Sequence, residues 1–277
     1  MKVRSRIACL SAAAVAALMC VGAPAAQARD ITWDANADAD PRGLDGSGSW
    51  DTTSLNWVDG DLVTGTNVTW SNGTPPTTPA DSALFGNATS AVAAVTPYNI
   101  ELVEAITVNN LVLGTATNGA IYNFSDFSGG SLTITGNLTK IAPGGQSQFL
   151  LVSGPLTLAT GDHVVAMRDS PGDVAELSMN GAIAGDGSLT VDNGIYEAWG
   201  TLALNVDNTY TGATNINKGR LVVTTSGGLG ATSAGTTISN QGSLSIGGAG
   251  STVVAGLNLS EPITITRNTY TGGEFGR

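Results

Sequence analysis

The chain has 277 residues, enough for one large domain or two ordinary ones, and 42% of them are hydrophobic, so a sizeable core can form. Its net charge of −11 argues against nucleic acid and anionic lipid headgroups as partners. Only 12% of the residues are charged and glycine fills 37 positions, a composition that indicates many short strands and tight turns instead of packed helices.

The first 28 residues have the organisation of a secretory signal peptide. Basic residues within the first six positions precede an apolar stretch over residues 7–21, and Ala26-Gln27-Ala28 offers the small residues that cleavage requires. The apolar stretch is short for a membrane span, so we predict a cleaved signal over 1–28, with a membrane anchor as the weaker alternative. Both cysteines, Cys9 and Cys20, would leave with it, and the secreted chain would then have no disulfide.

Residues 29–80 differ from the rest of the chain in their tryptophan content. Four of the five tryptophans lie here, among Asp, Gly, Asn and Thr: Trp33, Trp50, Trp57 and Trp70. A repeat protein needs a cover over its first unit, and large aromatic side chains suit that task, so we predict an N-terminal cap. Exposed indole rings also stack on sugars, which makes the same four residues a candidate ligand-binding group.

An acidic stretch within this segment, DANADADPRGLD, runs from Asp34 to Asp45 and has oxygen-bearing side chains near the spacing of a calcium-binding loop. Ala39 stands where such a loop needs glycine, and Asp45 stands in place of the usual glutamate. We therefore predict a plain loop and no metal site, with calcium binding as the alternative.

From residue 81 to residue 277 the chain repeats a short pattern of glycine, a small or polar residue, then apolar, polar, apolar. Examples are GSLTITG (130–136), GSLTV (187–191) and GSLSI (242–246). Alternation places the two apolar residues on one face of a strand. The leading leucines recur at gaps near a dozen and near two dozen residues, which predicts one or two strands per turn of a β-solenoid. An antiparallel β-sandwich is the alternative.

The phrase NTYTGATNINKGRLVV (208–223), its echo NTYTGG (268–273) and the intervening GGLG, TTIS and GSLSIGG resemble the autotransporter-associated β-strand repeat. The resemblance covers residues 188–273 and implies a right-handed parallel β-helix that is secreted or displayed at the outer membrane of a bacterium. It brings no active site, because repeats and not catalytic residues define the family. Similar proteins continue into a barrel or a sorting tail, so we expect the chain to be a fragment.

Within the repeated phrases the resemblance and the residue types predict corners between strands, formed by Tyr210, Gly212, Tyr270 and Gly272. The tyrosine ring would lie over the apolar end of a coil, with its hydroxyl reaching solvent or backbone. Glycine would let the chain reverse sharply. Asparagines beside Ile216 would form hydrogen-bonded ladders with neighbouring coils.

The chain's one histidine, His163, follows Asp162, and this pair is the candidate for acid–base chemistry. No second histidine or nucleophile motif accompanies the pair, so we interpret it as part of a solvated loop and predict no catalytic residue and no cofactor. The predicted function is an adhesin-like passenger that contacts glycans or proteins of a host or cell surface, or a second copy through its surface or open C-terminal end. A carbohydrate-binding module and a polysaccharide-degrading β-helix enzyme are the alternatives.

Overall fold

In a computed structural model of the protein, the described residues form strands and turns and contain no helix, so none of this part of the chain is a helix able to cross a bilayer. The described residues are 27–35, 46–60, 64–74, 78–86, 98–114, 122–126, 128–142, 149–169, 176–194, 200–247 and 257–266.

The strands are short, as the glycine-led pattern predicts. In chain order they are β1 (Asp30–Trp33), β2 (Gly48–Trp50), β3 (Trp57–Asp59), β4 (Thr66–Val68), β5 (Ser82–Phe85), β6 (Tyr98–Leu102), β7 (Ala105–Val108), β8 (Leu111–Gly114), β9 (Tyr122–Asp126), β10 (Ser131–Ile134), β11 (Leu138–Ala142), β12 (Phe149–Val152), β13 (Leu156–Leu158), β14 (Asp162–Asp169), β15 (Glu176–Met179), β16 (Ile183–Gly185), β17 (Ser188–Asp192), β18 (Thr201–Leu204), β19 (Thr214–Val223), β20 (Thr236–Ile246) and β21 (Ile263–Thr266).

From β5 to β18, strands that are three apart along the chain pair in parallel. We name the three resulting faces A, B and C. Face A contains β5, β8, β11, β14 and β17; face B contains β6, β9, β12, β15 and β18; face C contains β7, β10, β13 and β16. This parallel stacking confirms the β-solenoid and excludes the antiparallel sandwich.

Each turn of the solenoid uses three strands, so the expectation of one or two strands per turn is wrong. The leading leucines do not follow one face: Leu156 lies on face C, Leu177 on face B and Leu189 on face A. The sequence gaps between these leucines therefore combine distances between faces of one turn with distances between successive turns. Hydrogen bonds between neighbouring turns join residues that are mostly 24 to 28 positions apart, which is the true length of a turn.

The core forms because equivalent inward residues stack directly on one another. On face B, Leu177 pairs with Leu202, which pairs with Leu221, and all three are fully buried. Two or three apolar side chains per strand bury little surface alone, but each turn covers the next, so the apolar interior becomes continuous.

The last turns are simpler than the first. Strands β19 and β20 each supply face A with their first half and face B with their second half, and β21 continues face A. Face C continues there without a strand: the amides of Thr209 and Tyr210 donate to Ile183 O, and the amide of Thr211 donates to Gly185 O. Counting turns in which all three faces are formed, the solenoid makes about five.

The N-terminal end has a different arrangement. Strand β1 pairs in parallel with β5 and β2 with β6, but β1 also pairs antiparallel with β3, and β3 with β4. The Arg29 guanidinium binds the buried carboxylate of Asp81, which precedes β5, and this contact raises the pKa of Arg29. An antiparallel segment thus lies across the first turn and is attached to it by an ion pair.

Candidate functional site

The four tryptophans of the N-terminal segment form one buried cluster. Trp33, Trp50 and Trp57 are 0% exposed and Trp70 is 2% exposed. Ring centroids lie 5.1 Å apart for Trp33 and Trp57 and 4.8 Å apart for Trp50 and Trp70, in edge-to-face geometry. Such contacts add to the free energy of burial. The rings are the apolar seal at this end of the core.

The indole N–H groups of the cluster differ in whether they have a hydrogen-bond acceptor. Trp33 Nε1 donates to Gly46 O at 3.0 Å, and Trp70 Nε1 donates to Asn72 Oδ1 at 3.0 Å. The N–H groups of Trp50 and Trp57 are buried and have no hydrogen-bond acceptor within the described part of the chain. None of the four ring faces is open to a sugar, so ligand binding by these tryptophans would require the cluster to open and remains a prediction.

Phe85 joins this cluster to the rest of the core, a role that was not predicted from the sequence. Its ring lies 5.4 Å from the ring of Trp57 and 5.0 Å from that of Phe124 on the next turn of the solenoid. Tyr122 also contacts it, at 5.4 Å. The signal was present in the alternation of Ala83 with Phe85 and of Tyr122 with Phe124, each pair on one side of its strand.

Tyr210 lies between β18 and β19, where the sequence predicts a corner. Its side chain is fully buried, and its hydroxyl hydrogen-bonds Thr214 Oγ1 at 2.7 Å instead of reaching solvent or backbone. Burial raises the pKa of the phenol. Tyr270 and Gly272 lie outside the described residues, so their role as corners stays a prediction.

Glycine is needed at position 212 because two neighbouring turns of the solenoid approach each other closely there. A Cβ at this position would lie 2.3 Å from Gly187 O and 2.4 Å from Ser188 N, on the turn below. Its φ is outside the left-handed region, so the sharp reversal expected from glycine is not the reason for it. Any larger residue would push neighbouring turns apart.

Polar side chains on the outer surface link successive turns, as the ladder hypothesis expects, although the ladders are mixed in composition. Asn215 Nδ2 donates to Thr190 Oγ1 at 3.3 Å, and Ser239 Oγ donates to Asn217 Oδ1 at 2.9 Å. Side-chain amides at corners also accept from the next turn: Val164 N donates to Asn137 Oδ1 at 2.9 Å. These bonds hold the turns in register.

His163 is part of β14 and not of a solvated loop, which corrects the sequence interpretation. It alternates with Val165 and Met167, so its ring points inward and is 2% exposed. Its ring nitrogens lie 2.6 Å from Gly136 O and 2.6 Å from Ala159 O. The neighbouring Asp162 is exposed on the other side of the strand, so the two side chains do not form an acid–base pair.

Lys140 on β11 is another polar residue that faces inward. Its burial was not predicted, because a lysine in a strand such as LTKIA is normally expected to face solvent. Its side chain is 2% exposed, and Nζ donates to Glu176 O at 2.9 Å. A buried ammonium that binds a backbone carbonyl is a structural contact between faces A and B.

The acidic stretch begins at Asp34, which is fully buried and whose amide donates to Asn56 O at 2.9 Å. Residues 36–45 lie outside the described residues, so calcium binding there stays a prediction. Among the residues that the structure describes, no three His, Cys, Asp or Glu side chains lie together as metal ligands would.

The outer surface of face A carries a groove of about 470 Å³ over β5, β8 and β11. Its floor is formed by residues that are outward-facing and partly exposed, among them Leu84, Val112 and Thr139, which are paired in register. Asn110 and Asn137 line one wall. Asp30, which is exposed, also lines the groove. The groove therefore offers aliphatic surface beside side-chain amides and one carboxylate, which disfavours an anionic partner.

Comparison with known proteins agrees with this architecture. The family model described as passenger-associated-transport-repeat matches residues 199–223, which contain β18 and β19. The chain is also similar to the adhesin BmaC autotransporter of Brucella suis biovar 1 (strain 1330), with 28% identity over 257 residues. That alignment covers 77% of this chain but only 7% of the relative. No solved structure matches the chain.

The matched repeat corresponds to one turn of the solenoid. It runs from face B at Leu202 through face C at Tyr210 to face A at Ile216, and returns to face B at Leu221, directly beside Leu202. The repeat in the sequence and the repeat in the structure are thus the same unit, and the resemblance to autotransporter repeats is confirmed. Residues 199–223 are thus similar to a passenger-associated transport repeat, and the chain is similar to an autotransporter adhesin over most of its length.

Proposed function

We propose that this protein is a secreted or surface-displayed, non-enzymatic passenger whose solenoid presents an adhesive outer surface. The observation that carries the proposal is that a passenger-associated repeat coincides with one turn of the solenoid. The similarity to an adhesin autotransporter and the predicted signal sequence over 1–28 support it. In this proposal residues 29–80 are the cap and residues 81–277 the adhesive solenoid.

The groove on face A is the surface that we expect to contact the partner. Its aliphatic floor around Val112 and the amides of Asn110 and Asn137 suit a glycan or protein surface, and the carboxylate of Asp30 beside them disfavours an anionic one. The strongly acidic chain disfavours a partner rich in negative charge.

The test is adhesion of non-adherent bacteria that display the chain, counted as cells retained on a host-cell layer. We expect retention above the empty-display control, and loss of it in Val112→Lys, which places a charge on the groove floor. Thr157→Lys is the matched control, because Thr157 is a partly exposed outward residue of face C. Retention equal to the empty display, or an equal loss in both variants, would reject the proposal.

A glycan-binding tryptophan cluster is the second candidate. It is favoured by the buried indole N–H groups of Trp50 and Trp57, which have no acceptor in the described part of the chain. Oligosaccharides that entered the cluster would quench tryptophan fluorescence, and Trp50→Phe or Trp57→Phe would abolish the effect. A glycan panel that leaves the fluorescence unchanged rejects this candidate.

A further inference from the structure

The groove on face A runs along the axis of the solenoid and not along a strand. Four successive strands of this face, β1, β5, β8 and β11, each contribute one to three lining residues from the strand itself or from the position just before it. Neighbouring strands lie about 4.8 Å apart, so the first and the last of the four are separated by about 14 Å. A groove of this shape suits an extended ligand that crosses the strands.

One side of the groove is a line of polar side chains, which we name the polar column: Asp30, Ser82, Asn110 and Asn137. The register places Asp30 beside Ser82, and the amide of Asn110 donates to Ser82 Oγ at 3.4 Å. The amide of Asn137 donates to Asn110 Oδ1 at 2.9 Å. Each turn adds one member, so the polar groups recur at the strand spacing of about 4.8 Å.

The two ends of the polar column have unused hydrogen-bonding groups. Asn137 Oδ1 accepts from Val164 N at 2.9 Å, which orients the amide, and Asn137 Nδ2 has no acceptor within the part of the chain that the structure describes. Asp30 is exposed, and no described residue donates to its carboxylate or pairs with it as a cation. The column therefore offers oriented N–H donors at one end and acceptor oxygens at the other, about 14 Å apart.

A second line of side chains, which we name the apolar column, runs beside the first. It consists of Leu84, Val112 and the methyl group of Thr139, which are paired in register and partly exposed. Each lies two positions after a member of the polar column and on the same side of its strand, so the two columns are parallel. A ligand that fills the groove thus meets hydrogen-bonding groups along one edge and aliphatic surface along the other.

The repeat distance of the columns distinguishes between two kinds of extended ligand. An extended peptide turns a side chain to the same face at every second residue, about 6.6 Å apart, so it falls out of step with strands that are about 4.8 Å apart. An extended chain of β-linked pyranose sugars advances by about one strand spacing per sugar, and each sugar has hydroxyl groups beside apolar C–H surface. The carboxylate of Asp30 and the net charge of −11 disfavour sugars that carry acidic groups.

We propose that the groove on face A binds an unbranched, uncharged oligosaccharide that lies along the axis of the solenoid. Sugar hydroxyl groups accept from Asn137 Nδ2 at one end of the groove and donate to Asp30 at the other, and the C–H surfaces of the sugars pack on the apolar column. The inference rests on the adhesive groove of the proposed function and narrows its partner to a neutral glycan chain.

The experiment measures binding of the purified full chain to an array of unbranched, β-linked oligosaccharides of glucose, galactose, mannose and N-acetylglucosamine, with their uronic-acid and sulfated counterparts beside them. Isothermal titration calorimetry then gives the affinity for the bound sugars from the monosaccharide upward. We expect neutral chains to bind and acidic chains not to bind. Affinity should rise with length until a chain reaches from Asn137 to Asp30, and should then stay constant.

Three variants test the named contacts. Asn137→Asp removes the Nδ2 donors and keeps the acceptor for Val164 N, so we expect about tenfold weaker binding of the longer chains. Asn215→Asp is the matched control, because it makes the same change of charge in line with Asn137 three turns later on face A, outside the groove, and should bind like the parent. In Asp30→Ala the advantage of long chains over short ones should disappear.

Several results would overturn the proposal: no neutral oligosaccharide retained on the array, tighter binding of acidic chains, or equal affinity for monosaccharides and longer chains. Parent-like binding by Asn137→Asp, an equal loss in Asn215→Asp, or an unchanged length dependence in Asp30→Ala would do the same. Adhesion to host cells without oligosaccharide binding rejects this inference and leaves the proposed function standing. Oligosaccharide binding without adhesion supports the inference and rejects the proposed function.

Discussion

The first and the last described turns of this solenoid differ in how completely their apolar side chains are covered. At the N-terminal end four indole rings and Phe85 cover the core, and β3 and β4 lie antiparallel across the first turn. At the C-terminal end Ile246 and Ile265 occupy equivalent inward positions but are half-exposed or more. The contrast shows that a turn does not bury its own side chains: burial depends on a covering layer on each side, supplied by another turn or by a cap.

The largest effect should separate the interior of the stack from its last described turn. Leu202→Asp buries an unpaired carboxylate in the core, which costs several kcal/mol, and we expect loss of cooperative thermal unfolding. Leu244 lies two turns later in the same column, where the side chain is only partly buried. For Leu244→Asp we expect a lowered melting temperature but a transition that is still cooperative. Circular dichroism melts check this, and identical melts would remove the distinction between interior and end.

The cap itself can be tested by truncating one of its rings. Trp57→Ala should lower the free energy of unfolding by about 3–5 kcal/mol, because it removes a fully buried ring that contacts four other aromatic rings. Ile265→Ala at the opposite end should cost less than about 0.5 kcal/mol. Denaturant titration of both variants measures the difference. Equal costs would show that the two ends are equally sealed.

A smaller effect tests the spacing between turns, on which burial depends. Gly212→Ala forces a Cβ against the backbone of Gly187 and should cost about 1–3 kcal/mol. Gly194→Ala, where no atom lies within 4 Å of the added Cβ but φ is +63°, should cost about 1 kcal/mol from backbone strain alone. Denaturation midpoints rank the two. If Gly194→Ala costs more, close packing of turns is not what requires glycine at Gly212.

The smallest effect is a pH dependence at Glu261, which lies just before β21. Because burial raises the pKa of Glu261, the folded chain holds this proton more tightly than the unfolded chain does. Its contribution to the free energy of unfolding is therefore greatest below the ordinary carboxyl pKa and falls as pH rises through the raised value.

Glu261→Gln removes that dependence and keeps an acceptor for Thr236 Oγ1. We expect the variant and the parent to unfold at similar denaturant concentrations in acid, and the variant to be the more stable at neutral pH. A parent that gains stability relative to the variant as pH rises would contradict the burial of this carboxyl.

Local sequence signals predicted the strands, their inward residues and the solenoid itself, because alternation acts within a few residues. They did not predict three faces, since the angle of the bend between two strands decides which face the second strand joins. The burial of His163 and Lys140 was equally hidden: their acceptors, Gly136 O and Glu176 O, come from other turns. The role of Gly212 depends on a backbone 25 residues away.

The N-terminal cluster could be predicted as a cap from its tryptophan content, but not as a fully closed one. That closure requires Phe85 and Phe124, which lie on β5 and β9, outside the tryptophan-rich segment 29–80. The groove on face A was not predictable either, because its floor and wall come from three different turns.

Amide hydrogen exchange tests the central claim most directly, that the N-terminal end of the solenoid is sealed whereas β21, its last described strand, is poorly covered. At a dilution that keeps copies apart, peptides covering Asp30–Trp33 and Ser188–Asp192 should exchange slowly, and Ile263–Thr266 should exchange fastest among the strands on face A. Protection of Ile263–Thr266 equal to that of Ser188–Asp192, or fastest exchange at Asp30–Trp33, would contradict it.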